Sequence, residues 1–345
     1  MYFLYVISGN KLKVYDLIGN VYEFNFNNEI TGIVGSIDSE YIFLTTKVKA
    51  FWKDTEFNVD EHEYSIGSYR PTLPGYEIIY VSNNISKCCL YKDYGLEAKS
   101  IYEVKLYCCC WNGESLWLCG QGGKVYRNGN DYSSTLSFSE DVIGCTGIEY
   151  SNCYKAYFIS YYGKVKAYVV PKNPEEVEYV QTFSDIPNIN NVNALIYNPY
   201  NSEFIVITDN FTRILTSKDL QSWIERSVNV NPLSITVNPS NGHVFIGSNN
   251  GIVLEYDSEW NLINDLTNLI SINGNVERML CTESTIFGIF TKNYTFNSEV
   301  TVDNIAIYNN ANVEVVLPEP EQVNTRKITN INGRLTILSG KVKVF

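Results

Sequence analysis

The chain has 345 residues, of which 45% are hydrophobic and 19% are charged, so it holds enough apolar material for a folded core and lacks the composition of a disordered protein. Its formal net charge of −12, with basic residues scattered singly, disfavours binding to a nucleic-acid phosphate backbone. No uninterrupted apolar run approaches the roughly 20 residues that a membrane-spanning helix needs, so no membrane span is expected.

Strand signals recur from the first residues onward. Short runs rich in Val, Ile, Tyr, Phe and Thr each end in a cluster of Gly, Asn, Asp or Ser, and amphipathic helical stretches are nearly absent. Regular short strands without intervening helices are typical of a sandwich, a barrel or a propeller, and internal repeats distinguish among these folds. The pattern predicts an all-β protein.

The nine cysteines include two runs of neighbours, Cys88-Cys89 and Cys108-Cys109-Cys110. Adjacent cysteines on a strand point to opposite faces, which makes a poor disulfide framework. No Cys-x-x-Cys pair and no nearby histidine completes a metal-ligand set. We therefore predict buried, reduced thiols that pack as small hydrophobic side chains, folding in a reducing cytoplasm, and no required metal.

Glycine marks two predicted hairpins, one in residues 115–126 and one in residues 157–165. The first turns at Gly120-Gln121-Gly122-Gly123 and the second at Gly163, where glycine supplies the positive φ of a tight turn. The glycine-rich run lacks the following Lys-Ser/Thr and the helix of a phosphate-binding loop. It therefore predicts a hairpin and no cofactor site.

The clearest internal repeat pairs residues 194–201, ALIYNPYN, with residues 234–241, SITVNPSN. Their Asn-Pro turns coincide at an offset of 40 residues, and an apolar strand follows each of them. A period near this length suits a propeller blade of four strands. Among the three all-β architectures, the repeat favours the propeller.

Residues 216–223, TSKDLQSW, carry Ser217, Asp219 and Trp223 in a spacing that resembles the Asp-box, Ser-x-Asp-Gly-x-x-Trp. The Asp-box recurs in sialidase-like propellers and in propeller proteins of bacteriophage tails. Leu220 stands where glycine is usual. In that family, Asp-box residues brace the hairpin between the outer strands of a blade and do no chemistry. The resemblance implies that these three residues form a structural turn motif.

Candidate catalytic groups are sparse. The two histidines, His62 and His243, lie in turn-like contexts without a nucleophile motif. Resemblance to a sialidase would imply an arginine cluster, a tyrosine nucleophile with a glutamate partner and an Arg-Ile-Pro signature, of which Arg70-Pro71 is only a faint trace. We predict no catalytic, cofactor-binding or metal-binding residue, and hence no enzyme.

The two ends of the chain resemble each other, residues 4–15 (LYVISGNKLKVY) and residues 335–345 (LTILSGKVKVF). A closed propeller commonly completes its last blade with strands from both termini, because an open blade leaves unpaired edges. We predict a single β-propeller domain over residues 1–345, with seven or eight four-stranded blades. The closing blade would combine about 1–26 with 325–345.

A rigid propeller holds the loops of its rims in fixed positions, which suits docking to partners. With the Asp-box resemblance, the missing catalytic signature and an Asn/Tyr/Ile-rich, methionine-poor composition like that of AT-rich phage genomes, this favours a non-enzymatic structural or interaction module. The specific hypothesis is a virion component of a phage or phage-like particle, in its tail, baseplate or capsid, whose partners are other protein subunits of the assembly.

Two alternatives stay open. One is a carbohydrate-binding or sialidase-like glycan-processing propeller, in which some of the 27 tyrosines and five tryptophans would contact a glycan. The other is a cellular WD40-like scaffold. The regular Gly-His and Trp-Asp dipeptides of WD40 blades are missing from this sequence, which disfavours the second alternative.

Overall fold

Strands dominate the computed structural model, which describes residues 2–35, 42–52, 55–58, 64–72, 75–82, 87–92, 95–100, 104–283, 285–286, 288–297 and 299–345. The strands that pair antiparallel are β1 (Phe3–Ser8), β2 (Lys11–Tyr15), β3 (Val21–Asn25), β4 (Ile30–Val34), β5 (Phe43–Thr46), β6 (Lys49–Trp52), β7 (Thr55–Asn58), β8 (Tyr64–Thr72), β9 (Gly75–Ser82), β10 (Lys87–Lys92), β11 (Gly95–Ser100), β12 (Leu106–Trp111), β13 (Leu116–Gly120), β14 (Val125–Arg127), β15 (Asn130–Asp131), β16 (Val142–Glu149), β17 (Cys153–Ser160), β18 (Val165–Pro171), β19 (Tyr179–Thr182), β20 (Val192–Asn198), β21 (Glu203–Thr208), β22 (Arg213–Ser217), β23 (Ile224–Arg226), β24 (Ser234–Val237), β25 (Val244–Gly247), β26 (Val253–Tyr256), β27 (Leu262–Asp265) and β28 (Arg278–Thr282).

The last part of the chain forms parallel strands, which are β29 (Ile289–Phe290), β30 (Tyr294–Phe296), β31 (Val300–Ile307), β32 (Asn312–Val316), β33 (Gln322–Asn330), β34 (Arg334–Ser339) and β35 (Lys341–Val344). Among the described residues, helical structure consists of the four-residue helices α1 (Ser133–Leu136) and α2 (Thr267–Ile270) and two short 3₁₀ turns, Gln121–Gly123 and Asn249–Gly251. No helix in the described ranges is long and apolar enough to cross a membrane.

The antiparallel strands build seven four-stranded sheets within the described residues. Six of these sheets use four consecutive strands, from β4–β7 to β24–β27, and the seventh has the order β28-β1-β2-β3. One edge strand of each sheet packs against the equivalent strand of the next, in the succession β4, β8, β12, β16, β20, β24 and β28, and β28 packs in turn against β4. The prediction of an all-β protein built from four-stranded sheets is confirmed.

The N-terminal strand β1 takes its second partner, the edge strand β28, from the end of the antiparallel region. Tyr5 of β1 lies opposite Val14 of β2 on one side and Leu280 of β28 on the other. The expectation that residues 325–345 pair with residues 1–26 is therefore wrong. The resemblance between the two chain ends reflects a shared strand-turn-strand pattern, and such a pattern does not identify the partner of a strand.

Residues 289–345 form two parallel sheets, with the orders β29-β31-β33-β35 and β30-β32-β34. The chain alternates between the sheets, so successive coils stack in register: Val300 lies opposite Val323, and Asn312 opposite Arg334. We call this region the C-terminal solenoid. The predicted pattern of antiparallel blades does not extend into this region, because its strands pair in parallel. Its core lies between the two stacked sheets, where apolar side chains such as Phe296 are buried.

The solenoid shares a core with the sheet that contains the N-terminal strands. Ile289 and Tyr308 are fully buried in one cluster with Phe3 and Tyr5. This common core places the solenoid directly beside the first antiparallel sheet.

The internal repeat corresponds to two equivalent turns. Asn198 Oδ1 accepts the backbone N–H of Tyr200 over 3.1 Å, and Asn238 Oδ1 accepts that of Ser240 over 3.0 Å. The intervening prolines have no N–H, so each asparagine side chain reaches the next backbone donor. The predicted hairpin at residues 120–123 is also present: at Gly123 the φ is +76°, and a Cβ would lie 2.2 Å from Phe138 O.

Candidate functional site

The three sequence-predicted motif residues, Ser217, Asp219 and Trp223, lie in the turn that joins β22 to β23. Ser217 Oγ accepts the backbone N–H of Leu220 over 2.8 Å. Asp219 Oδ1 accepts the backbone N–H groups of Gln221 and Ser222 over 2.8 and 2.7 Å. The two polar side chains thus bond the backbone of their own turn.

The electrostatics of this turn agree with a structural role. Backbone N–H groups of Ser222 and Gln221 lower the pKa of the exposed Asp219 carboxyl to about 2. Trp223 packs on the apolar cluster that contains the buried side chain of Leu220. Leu220 has a φ of +60°, in the left-handed region that glycine adopts more readily. Its backbone conformation is therefore unfavourable, whereas the burial of its side chain is stabilising.

A cavity of about 290 Å³ adjoins this turn. Its walls come from the sheet β16–β19 and the sheet β20–β23, and five of the eleven lining side chains are aromatic. The lining residues are Tyr150, Lys155, Tyr157, Gln181, Phe183, Tyr197, Ser202, Phe204, Lys218, Asp219 and Leu220.

The polar groups of the cavity are pre-positioned. The hydroxyls of Tyr150 and Tyr157 lie 3.0 Å apart, and burial raises the pKa of both, so both phenols are neutral at physiological pH. Lys155 Nζ lies 5.4 Å from the centre of the Tyr150 ring. Flat apolar walls with a few hydroxyl and ammonium groups can hold a ring that bears polar substituents.

The residues expected of a glycosidase do not gather at this cavity. None of its described lining residues is an arginine. His243 Nδ1 lies 2.8 Å from Glu255 Oε1, in the sheet β24–β27, and Asn264 donates to the same carboxylate. His62 and the side chain of Arg70 lie outside the described residues.

A second candidate site is the outer edge of the C-terminal solenoid, formed by β34 and β35. In the described structure β34 pairs only with β32, and β35 only with β33, so each strand has one open side. Apolar side chains are exposed here: Leu338 is 63% exposed and Phe345 60%. We call these two strands, with Phe345, the solenoid edge.

The solenoid edge is basic in an acidic protein. Residues 322–345 contain five basic residues and no acidic one, although the whole chain has a formal net charge of −12. All five are exposed: Arg334, Lys341 and Lys343 lie on the solenoid edge, and Arg326 and Lys327 lie on the adjoining strand β33. Sequence reasoning missed this site, although the alternation Lys341-Val342-Lys343-Val344 and the missing acidic residues were visible signals.

Cys108, Cys110, Cys119, Cys145, Cys153 and Cys281 form no disulfide. The sulfur atoms of Cys108, Cys119 and Cys145 lie within 4.8 Å of one another, which is the one such group of potential metal ligands among the described residues. Sequence spacing could not reveal this group because its members come from three strands of two sheets.

No known protein family and no curated protein matches the sequence. Solved structures do match the fold. Apo AztD from Citrobacter koseri is 9% identical, with a TM-score of 0.53 over 80% of this chain and 84% of that chain. The WD40 β-propeller domain of Doa1 is 10% identical, with a TM-score of 0.50 over 70% and 84%. A chain of the mitotic checkpoint complex is 10% identical, with a TM-score of 0.53 over 75% and 82%. At these identities the likeness establishes a β-propeller-type fold.

Proposed function

We propose that this chain is a non-enzymatic interaction module in which a seven-bladed β-propeller carries a solenoid edge that binds an acidic, extended segment of a partner protein. The seven sheets would be the blades of one ring, and the pairing of β1 with β28 would close it. Support for the ring comes from the cyclic packing of edge strands, in which β28 contacts both β24 and β4.

The open solenoid edge is the observation that carries the proposal. An edge strand offers a row of backbone N–H and C=O groups. An extended peptide can form hydrogen bonds with this row and so add a strand to the sheet. Leu338 and Phe345 add exposed apolar surface beside this row. Backbone hydrogen bonds would supply affinity, and the alternating side chains of β35 would supply specificity.

Charge favours an acidic peptide over the other occupants of such an edge. Lys341 and Lys343 alternate along β35 with Val342 and Val344, so acidic residues of an added strand would meet ammonium groups. If the solenoid edges of two copies of the chain paired with each other, their basic residues would face each other and repel. A nucleic acid would be attracted by the edge, but it would be repelled by the net charge of the whole chain and would leave the open backbone groups unpaired.

Fluorescence anisotropy with a labelled peptide of alternating Val and Glu tests the proposal. The intact chain should bind this peptide, more weakly as salt rises, and should not bind the matching Val/Lys peptide. Replacing both Lys341 and Lys343 by Gln should weaken binding by about tenfold, which corresponds to two exposed ion pairs. Lys172→Gln, at an exposed position directly after β18 and outside the solenoid edge, is the control.

Three results would contradict the proposal. Equal binding of the two peptides would remove the electrostatic argument, and tighter binding of a single-stranded oligonucleotide would identify a different partner class. Concentration-dependent self-association that Leu338→Lys abolishes would make the edge an interface between copies of this chain.

The assembly proposed from the sequence is a phage or phage-like particle. The alternative is that the chain is a cellular scaffold protein. Sedimentation of a native-source lysate, with mass spectrometry for this chain, distinguishes them. Recovery with large particles supports a virion subunit, and recovery only in small complexes supports the scaffold. The mitotic checkpoint complex shows that a chain of this fold class occurs in a multiprotein assembly.

Glycan binding is a second candidate, favoured by the aromatic cavity beside the Ser217–Trp223 turn. Saturation-transfer NMR with a panel of mono- and disaccharides would detect it. Tyr197→Ala should abolish the transfer because it removes a wall of the cavity, whereas Tyr200→Ala, at an exposed turn position, should preserve it. Absence of transfer from every sugar would eliminate this candidate.

A further inference from the structure

Four cysteine side chains converge between two neighbouring sheets. Cys108 and Cys110 belong to β12, Cys119 to β13 and Cys145 to β16. The sulfurs of Cys108, Cys119 and Cys145 all lie within 4.8 Å of one another, and Cys110 belongs to the same apolar cluster, against which Cys145 packs. This group joins the sheet β12–β15 to the sheet β16–β19.

Strand geometry explains the convergence. Side chains alternate along a strand, so Cys108 and Cys110 share one face of β12 while Cys109 occupies the other. Cys119 lies directly opposite Cys108 in the antiparallel register. β16 packs against β12, which brings Cys145 to the same face. Accordingly, Cys108, Cys110 and Cys119 share one apolar cluster, and Cys109 belongs to another.

The spacing of the three sulfurs fits a thiolate-bound metal ion. For any three atoms within 4.8 Å of one another, a point exists within about 2.8 Å of all three, and a Zn–S bond is about 2.3 Å. Movements of about half an ångström per sulfur would therefore complete the bonds. Reduced thiols that only fill space have no reason to gather at one point from three strands, since any small apolar side chain would serve there.

The surroundings specify the kind of site. Sulfur ligands select soft or borderline ions, and zinc binds three or four cysteines in closed, tetrahedral structural sites. The cluster lies beside the fully buried side chains of Trp117 and Phe158; Cys108 and Cys119 are buried, and Cys145 is partly buried. Such a site holds the fold together and does not present an open position to a substrate.

We propose that Cys108, Cys119 and Cys145, with Cys110 as the fourth ligand, form a structural zinc site that fastens the sheet β12–β15 to the sheet β16–β19. Zinc binds with release of the thiol protons, and its binding free energy adds to the stability of the folded chain. This inference is independent of the solenoid edge and of the proposed partner.

Metal analysis of the chain folded under reducing conditions with equimolar zinc tests the site. We expect about one zinc ion per chain, and X-ray absorption at the zinc edge should show a shell of sulfur only. Removal of zinc by a chelator should lower the melting temperature. Cys145→Ala should weaken zinc binding by more than about a hundredfold, because even second-shell changes cost ten- to a hundredfold. Cys109→Ala, on the opposite face of the same strand, should retain the metal.

The X-ray absorption measurement uses the unaltered chain, so it decides the question even where Cys145→Ala fails to fold. A folded, reduced chain without zinc would overturn the proposal and would leave the thiols as packing groups. Oxygen or nitrogen ligands in the absorption spectrum would overturn it equally.

Discussion

Arg127 and Glu178 join two neighbouring sheets, with Arg127 Nη1 lying 2.7 Å from Glu178 Oε2. Arg127 ends β14, and Glu178 directly precedes β19 in the next sheet. The guanidinium also lies 5.5 to 5.6 Å from the centres of three aromatic rings, those of Trp117, Tyr132 and Tyr168. The planar guanidinium of Arg127 thus connects the two sheets by an ion pair and by contacts with aromatic rings. A lysine side chain could not make the same set of interactions.

Arg127→Met should lower the free energy of unfolding by about 1–3 kcal/mol, because it removes a buried guanidinium that contacts three rings and pairs with a partly exposed carboxylate. Chemical denaturation measures the change. Arg213→Met is the matched control: Arg213 pairs with Asp209 and Glu225, but its side chain is 30% exposed against 10% for Arg127, so the change should cost less than about 1 kcal/mol. Equal losses for the two variants would contradict the difference that burial predicts.

Leu220→Gly should destabilise the protein, although glycine is the usual residue of the resembling motif. Relief of the left-handed backbone conformation stabilises by about 1 kcal/mol, whereas loss of a buried leucine side chain costs about 2–5 kcal/mol. Thermal or chemical denaturation would show the net loss.

Asn250→Gly separates the backbone contribution from the burial contribution, because Asn250 has a similar φ of 56° and an exposed side chain. This variant should change the free energy of unfolding by less than about 1 kcal/mol in either direction. A stabilised Leu220→Gly protein would show that the side chain of Leu220 contributes little.

The stabilising effect of the Asp219 carboxylate should disappear in acid. Its folded-state pKa of about 2 lies below the unfolded value of about 3.9, so the interaction is present above the unfolded pKa and is lost as the pH falls through the folded one. The difference in melting temperature between the unaltered protein and Asp219→Asn should be constant above about pH 5 and shrink toward pH 2. A difference independent of pH would contradict the assignment.

Tyr308→Phe should weaken the contact between the solenoid and the first sheet. The Tyr308 hydroxyl donates to Asp16 Oδ2 over 3.0 Å and also bonds the Tyr22 hydroxyl, and Asp16 is fully buried. Loss of a buried hydrogen bond to a carboxylate costs about 1.5–3 kcal/mol in the free energy of unfolding.

A double variant that combines Tyr308→Phe with Tyr22→Phe tests whether the two hydroxyls act together. The double variant should be less destabilised than the sum of the two single variants, because each single change removes the same Tyr22–Tyr308 bond. Tyr162→Phe, at a position that is 63% exposed, should leave stability unchanged. Strict additivity would show that the two hydroxyls act independently.

Turns and strands were readable from the sequence where their causes are local. The Asn198-Pro199 and Asn238-Pro239 turns repeat because proline removes a donor and asparagine supplies an acceptor two residues before the next N–H. The hairpin at residues 120–123 was predictable because its glycines readily adopt the positive φ of a tight turn, and Gly123 has a φ of +76°. In the Ser217–Trp223 turn, the resemblance to the Asp-box implied a structural turn, and Ser217 and Asp219 bond its backbone.

Partners distant in the chain were not readable in this way. Residues 4–15 and 335–345 have nearly the same pattern, yet the first pairs with β28 and the second stacks in parallel coils. Cys145 lies far in sequence from Cys108, and no Cys-x-x-Cys spacing announced their proximity. The cavity beside Asp219 likewise combines side chains from two sheets.

The sequence by itself determined the strand content, the four-strand repeat and the turn chemistry, because side-chain alternation and backbone φ depend on neighbouring residues. The tertiary structure decided which strand completes the first sheet, where antiparallel pairing gives way to the parallel solenoid, and which thiols meet. Those choices depend on which distant apolar faces are buried together, and the same local pattern satisfies several such pairings.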